Sequence, residues 1–351
     1  MDDFYANNVH CFINTDIDAS LQKYRRRITS SMSWMGLTLS DLKDMIIFDM
    51  GTGYHAIVFA EMGCKRIYHV DISQSQVAWL KEYSQKNGIT SIETTCHDVM
   101  KSIGDAQDID LIFLVGVYHH LSCPPKLLLQ LMERSHIGAK FFIRCYRSGT
   151  WSRWLVSHLR RISSLLCPSD IQRAVAAIYP LENDGQFLGD IIDDLFVPVW
   201  GCYHPEQFSI DANVMGMDFR TDSKYFIYDH GDYDENFRAE INVISAHKNS
   251  SVNPYELATA FPISQIDLGC ENILIEKNNM LLNEFSYMAE YMEPFGLACK
   301  IVTLYRLGRK LKQMDYLSLT YLKNNAERID NLAEYRHACL SNIINQWRKN
   351  N

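Results

Sequence analysis

Between residues 49 and 56 the chain reads Asp49-Met50-Gly51-Thr52-Gly53-Tyr54-His55-Ala56. This stretch joins a short apolar run, residues 45–48, to a segment that we predict to be helical. A short apolar run of this kind is consistent with a buried strand. The two glycines allow the backbone to turn tightly and to approach a ligand, and the start of a helix supplies N–H groups. The stretch therefore predicts a strand, a glycine loop and a helix, with a ligand at the loop.

Strands and helices continue to alternate on the carboxyl-terminal side of this loop. Apolar runs at 66–70, 92–96, 111–115 and 140–145 predict four more strands, with helical patterns at 73–87 and 124–133 between them. The run at 111–115 is fully apolar, which suits a central strand covered on both faces. A helix at 205–215 and two strands at 224–228 and 241–245 are expected to close the sheet. This alternation is typical of βαβ units and a parallel α/β sheet.

Composition excludes several classes of protein. The 351 residues include 34 Lys+Arg and 42 Asp+Glu, a net charge of -8, which argues against a uniformly basic nucleic-acid-binding surface. No apolar stretch is long enough to span a bilayer, and the amino terminus lacks a secretory apolar region. The ten cysteines are dispersed without a C-x-x-C pair, so we expect reduced thiols and no metal site. These features predict a soluble, cytoplasmic protein of two domains.

Two cofactors compete for the glycine loop. With Asp71 twenty residues beyond Gly51, the loop also satisfies the fingerprint of a nicotinamide-dinucleotide site. However, a carboxylate at Asp49 would oppose a pyrophosphate, whereas S-adenosylmethionine presents an α-ammonium and a sulfonium. Asp71 ends the second strand, where it can bind ribose hydroxyls, and Asp98 follows the third, where it can accept from the adenine amino group. Each acid alone could merely cap a turn, but three at successive strand ends favour S-adenosylmethionine.

The same motifs resemble those of the class I S-adenosylmethionine-dependent methyltransferases. Asp49-x-Gly51-x-Gly53 looks like their first motif, Val70-Asp71-Ile72 like their second and His97-Asp98-Val99 like their third, and residues 110–121 are similar to their fourth-strand segment. The resemblance covers about residues 40–248. It implies an α/β, Rossmann-like, seven-stranded sheet whose last strand is antiparallel, with helices on both faces. The family usually has a third glycine where this chain has His55, which can put an imidazole near the cofactor carboxylate.

The resemblance also implies a set of site residues and a division of the chain. S-adenosylmethionine would be held, and S-adenosylhomocysteine released, by Asp49, Gly51, Gly53, His55, Asp71, Ile72, Asp98, Val99 and Gly116. Residues 1–40 are expected to form an N-terminal helical cap and residues 41–248 the methyltransferase domain, with a lid insertion at about 147–204. Composition and helical periodicity, rather than the resemblance, predict a polar linker near 249–254 and a mainly α-helical C-terminal domain at 255–351, which caps the site or mediates a homodimer.

The candidate catalytic residues are Tyr118, His119 and His120, which follow the fourth strand. Open α/β sheets bind ligands beyond the carboxyl ends of their strands. A histidine there is suited to remove a proton from the methyl acceptor at neutral pH. The alternative is that at least one histidine only anchors its loop through a hydrogen bond.

The lid insertion has a basic first half and an acidic second half. The basic half could grip an anionic acceptor, touch a membrane surface or simply be solvated. The acidic half combines carboxylates with aromatic side chains, which suits a cationic amine, although a charge run can also be a solvated face. The candidate substrate-binding residues are Trp151, Asp193, Asp194, Trp200 and Tyr203.

These observations predict an S-adenosylmethionine-dependent methyltransferase of small-molecule biosynthesis. The expected reaction is in-line methyl transfer to a small-molecule acceptor, with an amine nitrogen slightly preferred over oxygen. The alternatives are a methyltransferase acting on protein or another macromolecule, and a catalytically silent cofactor-binding interaction protein. A nicotinamide oxidoreductase is less favoured. We expect no nucleic-acid partner and no membrane span.

Overall fold

A computed structural model describes residues 17–121, 124–146, 151–179, 185–202, 217–221, 241–248 and 292–306. Its strands are β1 (Ile46–Met50), β2 (Arg66–Asp71), β3 (Ile92–Cys96), β4 (Ile109–Val115), β5 (Ser135–Tyr146), β6 (Met217–Thr221) and β7 (Ile241–Lys248). They form one sheet in the order β3-β2-β1-β4-β5-β7-β6. The predicted helix at 205–215 and strand at 224–228 lie outside the described residues.

The sheet is α/β and Rossmann-like, as predicted. Strands β1 to β5 run parallel to one another, and β7 is antiparallel to both β5 and β6. The sheet has seven strands, and five of them, β1 to β5, form its continuous parallel part. The antiparallel pair can sit at the edge because antiparallel ladders need no crossover helix.

Helices cover both faces of the sheet. The helices of this part are α1 (Ile17–Trp34), α2 (Leu39–Leu42), α3 (Tyr54–Glu61), α4 (Gln74–Lys86) and α5 (Pro124–Glu133). On one face, Leu128 of α5 belongs to the same buried core as Phe48 of β1 and Ile112 of β4. On the other face, α1 packs against α3, and Phe59 of α3 meets Phe113 of β4 edge-on at 5.2 Å between ring centroids. Successive strand residues point to opposite faces, so the residue after Phe48 faces α1 and α3.

The described chain divides into two compact units. The first contains 17–146 without 122 and 123, together with 197–202, 217–221 and 241–248. The second contains 151–179, 185–196 and 292–306, with helices α6 (Trp151–Ser163), α7 (Pro168–Ile178) and α8 (Gly185–Phe196), and helical residues 294–306. No helix in these described segments is long and apolar enough to cross a membrane.

Candidate active site

The glycine loop lies between β1 and α3. Gly51 has φ +109° and Gly53 has φ +81°, a region that residues with a side chain rarely adopt. A Cβ on Gly51 would lie 3.2 Å from a methyl of Val117, and a Cβ on Gly53 would lie 3.1 Å from a methyl of Leu80. Both positions therefore need glycine, and the loop packs closely against the segment that follows β4.

The loop fits the amino-acid end of S-adenosylmethionine. Gly53 is the N-cap of α3, and the first hydrogen bond of that helix runs from the Ile57 N–H to the Gly53 carbonyl. The positive end of the helix dipole is therefore turned toward the loop, which favours a bound carboxylate. A Cβ at Gly51 or Gly53 would crowd the side chains of Val117 and Leu80, so the bare backbone lines the loop at these two positions. A backbone cradle of this kind suits a small charged group.

Asp71 and Asp98 lie at the carboxyl edge of the sheet, as predicted. Met50 pairs with Val70, so Asp71, the last residue of β2, lies at the level of Gly51. One Asp71 oxygen accepts from the Ser73 N–H at 2.6 Å, and one Asp98 oxygen accepts from the Met100 N–H at 2.9 Å. Both carboxylates therefore close turns, and both side chains stay partly exposed. Their predicted roles at ribose and adenine remain proposals.

Asp49 requires a correction. The sequence suggested an acid at the end of the strand, facing the cofactor, but Asp49 lies inside β1 and is fully buried. The alternation of the strand turns its side chain toward α1 and α3. There its Oδ2 accepts a hydrogen bond from Nδ1 of His69 at 2.9 Å. Asp49 therefore lies in the interior, two residues before Gly51, where its bond to His69 holds the end of β1.

His55 lies in the same interior region. It is 5% exposed, and its Nδ1 is 3.7 Å from Oδ1 of Asp49. Its ring meets Tyr24 of α1 and Phe113 of β4 edge-on, at centroid distances of 4.7 and 5.2 Å. Burial lowers the pKa of His55 to about 4, although the Asp49 carboxylate acts in the opposite direction. His55 is therefore neutral at pH 7 and packs on the side of α3 that faces Phe113 of the sheet.

The histidine pair lies on a 3₁₀ turn, Tyr118–His120, after β4. Nδ1 of His120 is 3.0 Å from the Val199 carbonyl. A carbonyl can only accept, so Nδ1 carries the proton, and the lone pair of the neutral ring is at Nε2. This is the form that a general base requires.

His119 and Tyr118 have different surroundings. The His119 ring stacks on Tyr146 at 3.6 Å between centroids and 24° between planes, and the His119 carbonyl accepts from the Gly201 N–H at 2.8 Å. Tyr118 is 2% exposed and belongs to the apolar core. The Tyr118 side chain therefore packs in the core beneath the turn.

Sequence reasoning missed the role of residues 197–202. This segment follows α8 and belongs to the first unit, where it contacts both histidines through Val199 and Gly201. Trp200 also approaches Tyr146, with ring centroids 6.1 Å apart. These contacts join residues about 80 positions apart in the sequence, and no local pattern in residues 197–202 indicates them.

The other predicted cofactor residues occupy varied positions. Gly116 is exposed after β4, with φ +78°, and its N–H donates to the Arg144 carbonyl at 3.1 Å. Ile72 is half-buried, and its carbonyl accepts from the Cys96 thiol at 3.5 Å. Val99 is a core residue. Gly116 and Ile72 thus remain candidates at the edge, whereas Val99 acts by packing.

The predicted substrate residues of the insertion lie mainly in the second unit. Asp194 on α8 is buried, and its oxygens accept from Arg153 Nη1 at 2.8 Å and from the Tyr305 hydroxyl at 2.6 Å. Asp193 is half-buried, Trp151 begins α6, and Tyr203 lies outside the described residues. The Asp194 carboxylate is therefore engaged in holding α6, α8 and residues 294–306 together.

Comparison with known proteins adds a family match. Residues 48–135, from β1 to the start of β5, match the family model described as methyltransferase domain. No curated protein sequence matches the chain. The fold is similar to that of YcgJ from Bacillus subtilis, with 11% identity, TM-score 0.41, and coverage of 62% of this chain and 98% of that one.

Two further solved structures have similar folds. Magnesium protoporphyrin IX methyltransferase from Synechocystis PCC 6803, with bound SAM, is 10% identical, with TM-score 0.42 and coverage of 70% of this chain and 94% of that one. PKMT2 from Rickettsia typhi, in complex with AdoHcy, is 16% identical, with TM-score 0.46. In that case 71% of this chain is covered, which spans 56% of that chain.

The family match coincides with the functional edge of the sheet. It begins at Phe48 in β1, includes the glycine loop and the acids at the ends of β2 and β3, and continues past the histidine turn. The strand order and the backbone cradle agree with it. Residues 48–135 therefore match a methyltransferase domain, and this match includes the glycine loop and the histidine turn.

Proposed function

We propose that the protein methylates a small-molecule amine, with oxygen acceptors as the second preference. The observation that carries the proposal is the contact between the glycine loop and the end of β4. Gly51 packs against Val117, which directly precedes the turn that bears His119 and His120. The candidate methyl-donor site and the candidate base therefore adjoin at one edge of the sheet.

The cofactor would be held by residues of β1, β2 and α3. Gly51, Gly53 and the first turn of α3 would receive its carboxylate, and Asp71 would receive its ribose hydroxyls. Asp98, after β3, is the candidate for the adenine amino group. When bound, S-adenosylmethionine supplies an electrophilic methyl group on a positively charged sulfur. Holding the acceptor in line with this methyl at near-attack distance would supply much of the rate enhancement.

His120 would accept the acceptor's proton. An amine that is protonated at pH 7 must lose a proton before its nitrogen lone pair can attack a methyl carbon. The Val199 carbonyl fixes the proton of neutral His120 on Nδ1, so Nε2 is the basic nitrogen. The nitrogen–carbon bond then forms as the carbon–sulfur bond breaks, and its electron pair stays on sulfur.

Two aromatic rings beside the histidine pair favour an amine as the methyl acceptor. Tyr146 and Trp200 are partly exposed, lie 6.1 Å apart at the end of β5, and adjoin the histidine pair. Aromatic faces attract organic cations through cation–π contacts. The acids of α8 contribute less to the proposal than expected, because Asp194 is paired with Arg153.

The test combines cofactor binding with a change at His120. Calorimetry should show S-adenosylhomocysteine binding, and methyl transfer should be detected with pooled small amines more readily than with pooled alcohols and phenols. His120→Asn retains an N–H that can reach the Val199 carbonyl but provides no base. We expect kcat to fall by about 10²- to 10⁴-fold, with unchanged S-adenosylhomocysteine affinity.

His119→Phe provides the matched control. It retains an aromatic ring for stacking on Tyr146 and should keep kcat within a few-fold of wild type. A wild-type protein that methylates only macromolecules would refute the small-molecule proposal. An unaltered pH–rate profile in His120→Asn would refute the role of His120.

A further inference from the structure

Three buried polar side chains lie directly under the glycine loop. Asp49, His55 and His69, here called the Asp49 cluster, are 0%, 5% and 0% exposed. Asp49 immediately precedes Met50 and the loop, and His55 is the second residue of the helix that follows it. His69 is the direct neighbour of Asp49 in the β1–β2 register. The cluster thus joins the two sides of the loop to the strand that ends at Asp71.

The buried carboxylate of Asp49 is stabilised by its contacts with His69 and His55. Within the described residues its ion-pair contacts are with His69 Nδ1 at 2.9 Å and His55 Nδ1 at 3.7 Å. The first distance is a hydrogen bond, and the second is too long for one. A buried charge without a hydrogen-bonded partner is strongly unfavourable. The His69 N–H is therefore the contact that allows the carboxylate to remain inside the sheet.

Among the described residues, His69 is the hydrogen-bond donor to the Asp49 side chain. Oδ1 of Asp49 accepts no hydrogen bond from any described residue, and Nε2 of His69 likewise has none there. Phe113 fills the adjacent position on β4 and offers no donor. Without the His69 N–H, the buried carboxylate would take up a proton or shift from its present position, for example toward His55 Nδ1. Because Asp49 is two residues from Gly51, loss of this fixed position would loosen the loop.

We infer that His69 is a positioning residue for cofactor binding, acting through Asp49 to hold the glycine loop in its binding shape. This inference rests on S-adenosylmethionine being held at that loop. His69 is fully buried, and its hydrogen bond is to Asp49 rather than to a residue of the exposed edge. Its contribution is therefore to affinity rather than to the chemical step.

Two substitutions separate the hydrogen bond from the rest of the side chain. His69→Asn keeps an N–H near the position of Nδ1, whereas His69→Gln moves the amide toward the position of Nε2. By calorimetry, we expect His69→Asn to bind S-adenosylhomocysteine within about threefold of wild type. His69→Gln should bind at least tenfold more weakly, a loss of about 1.4 kcal/mol.

A control on the same strand and face distinguishes positioning from loss of stability. Ile67→Ala removes a fully buried side chain two residues from His69 and leaves the Asp49 hydrogen bond in place. It should lower the unfolding temperature but bind S-adenosylhomocysteine with nearly wild-type affinity. Equal affinity losses in Ile67→Ala and His69→Gln at matched stability would overturn the inference.

S-adenosylhomocysteine binding by the wild-type protein distinguishes failure of the positioning role from failure of the cofactor site. If it binds S-adenosylhomocysteine tightly and His69→Gln binds equally well, the positioning role is refuted while the cofactor site stands. If wild type does not bind, both fail together. Rescue in His69→Asn is the signature that a purely structural role would not produce.

Discussion

At the scale of the residue, His55 combines deep burial with a titratable ring. Its pKa is lowered to about 4 in the folded protein, mainly by burial, compared with 6.5 in an unfolded chain. Between these two values the unfolded chain binds the extra proton. The free energy of unfolding contributed by His55 is therefore complete above pH 6.5 and is lost as the pH falls toward 4.

We predict a loss of about 3 kcal/mol of stability from this residue between pH 6.5 and 4. Denaturant titrations at several pH values would measure it. His55→Phe keeps a ring between Tyr24 and Phe113 but removes the titrating group, so its stability should vary less over this pH interval. An equal pH dependence in the two proteins would contradict the assignment to His55.

Single residues also show how far the sequence could predict the site. Gly51, Gly53 and Asp71 were predicted at the correct edge because strand ends and tight turns are encoded locally. The partners of Asp49 were not predicted, because His69 is brought to it by the register of β1 and β2. Which face of a strand a buried acid occupies depends on the pairing and on the helices that cover each face.

At the scale of the element, α3 is flanked by two glycines of positive φ, Gly53 just before it and Gly63 just after it. Gly53 has φ +81° and a would-be Cβ contact with Leu80 at 3.1 Å, whereas Gly63 has φ +88° and no neighbour within 4 Å. The same substitution at the two ends therefore introduces similar backbone strain but different crowding. Only the amino-terminal end belongs to the cofactor loop.

We predict that Gly53→Ala and Gly63→Ala each lower the free energy of unfolding by about 1 to 3 kcal/mol. Gly53→Ala should additionally weaken S-adenosylhomocysteine binding by at least tenfold, because the loop must move away from Leu80. Calorimetry on both variants measures this difference. Equal affinity in the two variants would show that the loop's shape does not govern cofactor binding.

The positions of other strands and helices could be predicted from the sequence, but their tertiary contacts could not. The strands of the parallel part agree with the apolar runs, and Ser73 is the N-cap of α4, where its hydroxyl accepts from the Gln76 N–H at 3.4 Å. Lys248, at the end of β7, donates from its buried Nζ to the carbonyls of Met132 and Ser135, and burial lowers its pKa. Such an anchor depends on a partner more than a hundred residues away, and sequence periodicity carries no record of it.

At the scale of the whole molecule, the second unit is held by a buried ion pair. Asp194 of α8 accepts from Arg153 of α6 and from Tyr305. Arg160 adds a bond to the Asp194 carbonyl at 2.7 Å. Residues of the insertion and described residues of the C-terminal segment therefore belong to one unit.

We predict that Asp194→Asn lowers the free energy of unfolding by about 3 to 5 kcal/mol, because it removes the buried carboxylate that pairs with Arg153 at 2.8 Å. Asp193→Asn, at a half-buried neighbour on the same helix, should cost much less. Denaturant titration would measure both. If Asp194→Asn instead raised KM for an amine acceptor without a loss of stability, the substrate role suggested by the sequence would be supported.

The chain leaves the first unit after Tyr146 and re-enters it by Trp200, where the two rings are 6.1 Å apart. Two parts of the first unit that are distant in the sequence are thus in aromatic contact beside the histidine pair. The chain between them is a closed loop in the polymer sense, and the entropy cost of closing such a loop grows only slowly with its length. Changes in the length of that segment should therefore cost the first unit little stability.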